Sequence, residues 1–189
     1  LAQAGLLDEA LLSTYLQFDS GLPGHPVRQR TPFVEVNTGA LGHGLAVGAG
    51  MALAAKKTGR NYRVFVLTGD GELQEGSNWE AAMTASQYKL DNLVWIIDRN
   101  GLQLADFTEN IMALEPLDKK LEAFGMSVFK TNGNDPEAFV STIESLDFDD
   151  ARPKAVIAGT TKGKGVSFIE NQPAWHHRIP KGDELDRAM

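Results

Sequence analysis

Apolar and polar residues alternate in blocks along this chain, and the blocks predict strands and helices in turn. Two short runs are apolar almost throughout, YRVFVLT at residues 62–68 and NLVWIID at residues 92–98. Such runs are typical of parallel strands that are buried on both faces. Residues 73–88 between them have the spacing of a helix, so the three segments together predict a βαβ unit.

The second half of the chain repeats this alternation. Apolar runs at residues 126–131 (MSVFKT) and 154–160 (KAVIAGT) predict two more strands, with a helix between them at about residues 135–146. A glycine-punctuated helix with many small residues is predicted over residues 41–57, ahead of the first strand. The expected fold class is therefore α/β, a parallel sheet with helices on both faces.

The two ends of the chain have patterns of their own. Residues 1–15 predict an amphipathic helix that is already under way at Leu1, so we expect further residues upstream. The Gly- and Pro-rich stretch at residues 19–42 predicts a long loop of the kind that often carries function. Residues 162–189 show no period and predict a surface tail that ends in a short helix. The length favours one domain over residues 1–189.

Composition and charge narrow the classes of function. The net charge of −7, with Lys and Arg scattered, argues against a nucleic-acid surface and favours a small molecule or a protein partner. The lack of cysteine excludes disulfides and thiolate metal sites, and it is compatible with a cytoplasmic location. No apolar run is long enough to span a bilayer, so we expect no membrane association.

Candidate metal ligands follow the two strands of the βαβ unit. Asp70, between two glycines, comes after the first strand, and Asn100 comes after the second. Because the carboxyl ends of parallel strands share one edge of the sheet, these side chains and a backbone carbonyl just past Asn100 are expected to meet there. Such hard oxygen ligands suit Mg²⁺, which usually completes its coordination with phosphate oxygens. Gly71 would leave room for a phosphorylated ligand.

The tripeptide Gly-Asp-Gly is by itself a weak signal, because Gly and Asp fill many ordinary turns. An alternative interpretation is a phosphatase that uses an aspartate as its nucleophile. In that class, a hydrophobic strand is followed by Asp-x-Asp-Gly-Thr. The nucleophile position would then be Thr68. That chemistry needs a carboxylate to form the phospho-intermediate, so the phosphatase interpretation ranks low.

Three sequence blocks together resemble the transketolase family. GDGELQEGSNWEAAMTASQYKLDNLVWIIDRNGLQ is similar to its thiamine diphosphate motif, and TGALGHGLAVGAGMALAAKK and KGKGVSFIENQPAWHHRIP resemble its flanking blocks in the same order. The resemblance covers nearly the whole chain. It implies the thiamine-diphosphate-binding fold of the diphosphate half, with Mg²⁺ (or Ca²⁺ or Mn²⁺) held by Asp70, Asn100 and the carbonyl of Leu102.

The resemblance also implies which residues contact the cofactor, although these residues can be explained by ordinary structural roles as well. Leu41 could equally be a packing residue, Asp98 a strand-end carboxylate, and Leu104 either part of the thiazolium pocket or core. Glu75 corresponds to a glutamate in a carboxylate network across the family's subunit interface, although alone it is an ordinary first-turn helix residue. The cofactor-binding residues implied in this way are Gly39, Leu41, Gly71, Glu75, Asp98, Asn100, Leu104 and His176.

Histidines complete the implied catalytic set. His25 and His176 match family histidines that face the donor sugar and the diphosphate, and Glu75 is the third catalytic candidate. Without the resemblance, an isolated loop histidine would be taken as merely solvated. His43 stands where many relatives carry Gln, and His177 stands where Gly is usual. The segment LADFTEN differs from the common IDGPTE, so the loop beyond Asn100 could be shaped for another sugar.

One part of the family's machinery has no match in this chain. The glutamate that activates the aminopyrimidine belongs to a pyrimidine-binding domain, which is absent from this sequence. The resemblance therefore implies the amino-terminal subunit of a split transketolase, or a fragment of one, that transfers a two-carbon ketol unit between sugar phosphates. Its partner would be a carboxy-terminal subunit, with two copies of each chain. Two alternatives stay open: a relative acting on an unusual sugar phosphate or sulfonate, and a non-catalytic binding or regulatory module of the same fold.

Overall fold

The computed structural model describes all residues from 1 to 189. Its internal contacts divide the chain into two compact units, Leu1–Leu41 and Gly42–Met189. The expectation of one domain over the whole chain stays a prediction. No helix in either unit combines the length and the apolar character that crossing a bilayer requires.

The first unit has little regular structure. The helix expected over residues 1–15 is wrong, because only the 3₁₀ helix Glu9–Thr14 forms there. Asp8 starts it by accepting a hydrogen bond from the Ala10 N–H at 2.9 Å, and Leu16 follows it with a left-handed φ of 59°. No apolar side chain of this unit is buried. An amphipathic helix therefore lacks the packing that would stabilise it.

The second unit contains a four-stranded sheet in the order β1-β2-β4-β3. Every neighbouring pair is parallel, as the sequence predicts. β2 is an inner strand that is buried on both faces. β1 is an edge strand whose Phe65 and Leu67 are exposed, so burial on both faces was wrong for this strand. The strands are β1 (Val64–Gly69), β2 (Leu93–Arg99), β3 (Ser127–Asn132) and β4 (Lys154–Gly159).

Helices pack on both faces of this sheet, which confirms the expected α/β class. On one face, Trp95 of β2 lies in a core with Leu45, Ala81 and Leu121 from three helices. On the other face, Val94 packs with side chains of a single helix. The helices are α1 (Gly44–Thr58), α2 (Gly76–Gln87), α3 (Thr108–Ile111), α4 (Leu117–Ala123), α5 (Pro136–Glu144) and α6 (Asp183–Ala188); α1, α2 and α4 line the first face and α5 the second.

Small residues let α1 approach the sheet closely. A Cβ atom built on Gly48 would lie 2.3 Å from Cγ2 of Val66, a distance that no real contact allows. The helix begins at Gly44 and not at residue 41, because Gly42 takes a positive φ of 80° that a helix cannot continue through. Gly59, with φ of 66°, closes the helix as a left-handed cap.

The last segment of the chain, residues 162–189, contains no buried residue. It forms the 3₁₀ helix Pro173–Trp175 and then α6, which is the short terminal helix that the sequence predicts. Arg178 stacks on the ring of Trp175 at 4.2 Å, and Phe168 packs edge-on against the same ring. These contacts order the segment locally, although its separation as a tail stays a prediction.

Candidate functional site

Two neighbouring strands bring the predicted metal ligands to one edge of the sheet. Gly69 at the end of β1 pairs with Asp98 near the end of β2, so Asp70 and Asn100 both follow the carboxyl ends of adjacent parallel strands. The Asp70 carboxylate crosses the gap, because its Oδ2 accepts a hydrogen bond from the N–H of Gly101. The structure therefore joins the β1 turn to the loop after β2.

The Asp70 side chain is buried and incompletely satisfied. Its residue is 1% exposed, and Oδ1 accepts no hydrogen bond although Arg99 Nη1 lies 3.2 Å away. Burial raises the pKa of the Asp70 carboxyl, while the Arg99 guanidinium and the Gly101 N–H oppose that rise. A buried carboxylate oxygen without a hydrogen bond suits a bound cation, so Asp70 fits the role of a metal ligand.

The loop after β2 folds tightly around Leu102. Asn100 Oδ1 accepts the Leu102 N–H at 3.0 Å, and Leu102 forms an isolated antiparallel bridge with Phe107. The two hydrogen bonds of that bridge end on the carbonyls of Gly101 and Asp106, so neither uses the carbonyl of Leu102. No group of three or more His, Asp or Glu side chains could hold a metal by itself. The mixed ligand set of Asp70, Asn100 and the Leu102 carbonyl thus stays a prediction.

Other predicted cofactor residues lie around the same strand ends. Gly71 begins the 3₁₀ helix Gly71–Gln74, and a Cβ on it would come 3.1 Å from Cβ of Gln103, so its clearance faces the loop. Asp98 accepts a hydrogen bond from the hydroxyl of Thr160, which ties β2 to the segment after β4. Leu104 is 58% exposed and therefore does not belong to the core.

A glutamate that sequence reasoning missed holds the turn before α1. Glu72 Oε1 accepts the Gly42 N–H at 3.0 Å, and Oε2 accepts the Gly69 N–H at 3.4 Å. Glu75, the residue predicted instead, is exposed at the start of α2 and makes no capping hydrogen bond there. No local sequence pattern signals this role, because Gly42 and Gly69 are far apart in the sequence.

Arg99 is the second residue that the sequence did not single out. Its side chain is 13% exposed and lies between three carboxylates: Asp70 at 3.2 Å, Glu109 at 2.8 Å and Glu115 at 3.0 Å. It also donates to Thr108 Oγ1 at 3.2 Å. An arginine directly before the predicted ligand Asn100 was the available signal, because a strand-end cation needs acidic partners when it is buried.

The two neighbouring histidines lie in the last segment. Their rings meet edge to face with centroids 4.8 Å apart, and both residues are exposed. The pKa of His176 is lowered, first by loss of solvent around the ring and then by the positive charges of Lys162 and His177. A neutral His176 ring can both donate and accept hydrogen bonds near pH 7.

The remaining predicted site residues belong to the first unit. A Cβ on Gly39, where φ is 105°, would lie 2.9 Å from ring atoms of His25, so these two predicted residues are in close contact. Leu41 is exposed. The assignment of His25, Gly39 and Leu41 to the cofactor site stays a prediction.

Comparisons with known proteins identify a family for the chain. Residues 6–188 match the domain described as "Transketolase, thiamine diphosphate binding domain". The chain is 60% identical over its full length to a protein of Actinobacillus succinogenes that is named as one subunit of an apulose-4-phosphate transketolase, and it spans 68% of that protein. A protein of the same name from Phocaeicola vulgatus is 47% identical over the full chain, which spans 67% of it.

A solved structure shows the same fold. The crystal structure of transketolase from Campylobacter jejuni superposes with a TM-score of 0.87 at 32% identity. The superposition covers 95% of this chain and 29% of the other. The arrangement of strands and helices in this chain is therefore that of one part of a much longer protein.

Proposed function

This chain belongs to the transketolase family, and we propose that it is the diphosphate-binding subunit of a transketolase that transfers a two-carbon ketol unit between sugar phosphates. One observation carries the proposal: the buried Asp70 carboxylate lies against the loop after β2, at the edge where the carboxyl ends of β1 and β2 meet. Ligands of parallel α/β sheets bind outside this edge. A diphosphate held through a divalent cation is the chemistry that such an edge suits.

The residues that would hold the cofactor are those at the two strand ends. Asp70, the amide oxygen of Asn100 and the carbonyl of Leu102 would bind Mg²⁺, or Ca²⁺ or Mn²⁺ in its place, and the metal would hold the diphosphate. Thiamine diphosphate supplies, when bound, a thiazolium carbon that can take up and release a ketol unit. The backbone of Gly71 is proposed as a diphosphate contact, and its lack of a Cβ lets Gln103 of the loop after β2 approach closely. The exposed Leu104 is available to contact the thiazolium.

His176 and His25 would bind polar groups of the cofactor and the sugar. The pKa of His176 is lowered by loss of solvent around the ring and by the charge of Lys162, which favours the neutral ring. A neutral ring and a lysine charge suit a phosphate or diphosphate, because the cation offers charge and the ring offers a hydrogen bond. His25 is proposed as the corresponding contact with the sugar.

A second chain would complete the site. Glu75 is exposed at the start of α2 and is therefore available to join a carboxylate network across an interface between chains. The glutamate that activates the aminopyrimidine would come from a partner with the pyrimidine-binding domain. Two copies of each chain form the simplest closed assembly. Two relatives are named as single subunits of a transketolase, which supports a partner, and the cytoplasmic location stays a prediction.

The relatives also suggest the substrate. Both are named for apulose 4-phosphate, at 60% and 47% identity, and we propose an unusual sugar phosphate of this kind for the present chain. The loop after β2 is consistent with a specialised substrate. Asp106 accepts hydrogen bonds from the Phe107 N–H and from Asn110, so the segment that departs from the common family sequence has local hydrogen bonds of its own.

Reconstitution tests this proposal. The chain, with any native upstream residues, is purified alone and together with its partner chain, and each sample is assayed with thiamine diphosphate and Mg²⁺ on apulose 4-phosphate and on xylulose 5-phosphate. We expect ketol transfer only with the partner present, and faster with apulose 4-phosphate. Full activity of the lone chain would refute the split-enzyme part. Preference for xylulose 5-phosphate would refute the substrate part.

The non-catalytic alternative is separable by the same samples. A binding or regulatory module would have no need of an intact ligand set, whereas Asp70 and Asn100 are both present and in place at the strand ends. A complex that neither binds thiamine diphosphate nor turns over either of these sugars would favour that alternative.

A further inference from the structure

We infer that Arg99 is a positioning residue that holds the loop after β2, residues 100–115, against Asp70 before any cofactor binds. This inference rests on the proposed function for its consequence, because the loop carries two of the three proposed metal ligands. Its structural part concerns only contacts within the second unit. Arg99 is not itself one of the proposed metal ligands.

The contacts of Arg99 connect Asp70 with the middle and the end of the loop. Its guanidinium meets Asp70 at 3.2 Å on the β1 side and Thr108 Oγ1 at 3.2 Å in the middle of the loop. Its Nη2 atom donates to Glu109 at 2.8 Å and to Glu115 at 3.0 Å. The planar fork of arginine can serve several acceptors at once, which a lysine ammonium cannot do in the same geometry.

Glu109 and Glu115 also accept hydrogen bonds from backbone N–H groups farther along the chain. Glu109 accepts the N–H groups of Leu114 and Glu115, at 3.0 and 3.5 Å, and Glu115 accepts the N–H of Leu117 at the start of α4 at 2.9 Å. Arg99 therefore connects the strand end, the loop and the next helix through charged hydrogen bonds. Without it, two carboxylates that share one nitrogen would face each other with no cation between them, and we expect the loop to loosen.

Two physical effects of Arg99 on a bound cation have opposite signs. As a positive charge beside Asp70, Arg99 repels a second cation, so its removal would strengthen metal binding by Coulomb's law alone. As a positioning residue, it keeps Asn100 and Leu102 in place, so its removal would weaken metal binding. Outer-shell partners of metal ligands typically contribute roughly 10–100-fold to affinity. We expect the positioning effect to be the larger, and the sign of the change decides between them.

Amide exchange on the cofactor-free chain tests the structural part. Hydrogen exchange is followed by NMR in the wild type, in Arg99→Gln and in the milder Arg99→Lys. We expect the amides of Gly101, Gln103 and Thr108 to exchange at least roughly tenfold faster in both variants, because local opening exposes hydrogen bonds. Amides of the inner strand β2 should keep their protection, which shows that the fold is intact. Lys119→Gln, which breaks an exposed pair with Glu122, is the matched control. Unchanged exchange in the loop would overturn the inference.

Metal affinity tests the consequence in the complex with the partner chain. The apparent dissociation constant of Mg²⁺ at saturating thiamine diphosphate should rise roughly 10–100-fold in Arg99→Gln. The double variant Arg99→Gln/Glu109→Gln restores the local charge, and we expect it to stay weak because the hold on the loop is still lost. Tighter or unchanged Mg²⁺ binding in Arg99→Gln, or recovery in the double variant, would contradict positioning. If the wild-type complex bound no thiamine diphosphate, the proposed function would fail, while the exchange experiment would still decide the role of Arg99.

Discussion

The buried ion pair between Lys154 and Asp150 should be a major contribution to stability. Lys154, at the start of β4, is 0% exposed, and its ammonium donates to Asp150 and to the carbonyl of Arg152. Asp150 also accepts Ser127 Oγ at 2.9 Å and the Arg152 N–H at 3.0 Å. Replacing Asp150 by Asn keeps the shape of the side chain but leaves the buried ammonium without an anion.

The loss of unfolding free energy caused by Asp150→Asn can be estimated in two ways. Removing one partner of a buried pair costs about 3–5 kcal/mol in other proteins. Independently, the pKa of Asp150 is lowered from 3.8 to about 2 although burial alone would raise it; the Lys154 hydrogen bond, the Arg152 N–H and the Ser127 hydroxyl oppose and outweigh that burial. That shift corresponds to about 2 kcal/mol of stability. The Asp150 side chain is 21% exposed, so solvent screens the pair only in part, and we expect Asp150→Asn to cost about 3 kcal/mol.

Urea unfolding at pH 7, followed by circular dichroism, measures this difference. Glu122→Gln is the control, because the pair it breaks is exposed and should change stability by less than about 1 kcal/mol. Since the folded-state pKa of Asp150 is depressed, its contribution is present above pH 3.8 and is lost as the pH falls through about 2. The wild type and Asp150→Asn should therefore converge in stability at low pH. A difference below about 0.5 kcal/mol at pH 7 would refute this reasoning, because surface substitutions already vary by that amount.

Two further outcomes follow from the packing of α1 and from the last segment. Gly48→Ala should destabilise the chain by about 1–3 kcal/mol, since the new Cβ meets Val66. Gly50→Ala, where the space is open, should be neutral or stabilising by up to about 1 kcal/mol, and thermal unfolding of both variants would expose an error if they behaved alike. In the complex with the partner, His176→Ala should reduce ketol transfer by roughly 10–100-fold and much more than His177→Ala, as expected for loss of a hydrogen bond to a charged phosphate. Equal losses in steady-state assays would mean that the wrong histidine was chosen.

Regular elements were predictable where an apolar pattern coincided with packing. β2 and α2 follow directly from their sequence periods, and their side chains fill the core. The helix expected over residues 1–15 has the right spacing of apolar residues but no apolar partner, and Asp8 supports only a short 3₁₀ helix. The periodicity of apolar residues indicates which face of a helix would be buried. It does not indicate whether other apolar residues pack against that face.

Some residues of the candidate site were also predictable from the sequence, and others were not. Asp70 and Asn100 were predictable, because parallel strands bring their ends together whatever the loops do. The contacts of Glu72 and Arg99 were not predictable, since their partners are set by loop conformations that no local pattern determines. Glu72 reaches glycine N–H groups at residues 42 and 69, and Arg99 gathers carboxylates from as far as residue 115. Long side chains at strand ends therefore need the structure before a role can be assigned.

Calorimetric titration of thiamine diphosphate in Mg²⁺ tests the central claim most directly. The sample is the complex with the partner chain, as wild type and as Asp70→Ala, and circular dichroism confirms that both are folded. Loss of a metal ligand should weaken binding by more than the roughly 10–100-fold that loss of an outer-shell partner costs. The account predicts tight binding by the wild type and no measurable binding by Asp70→Ala. Equal affinity of the two complexes for thiamine diphosphate would contradict the assignment of the site.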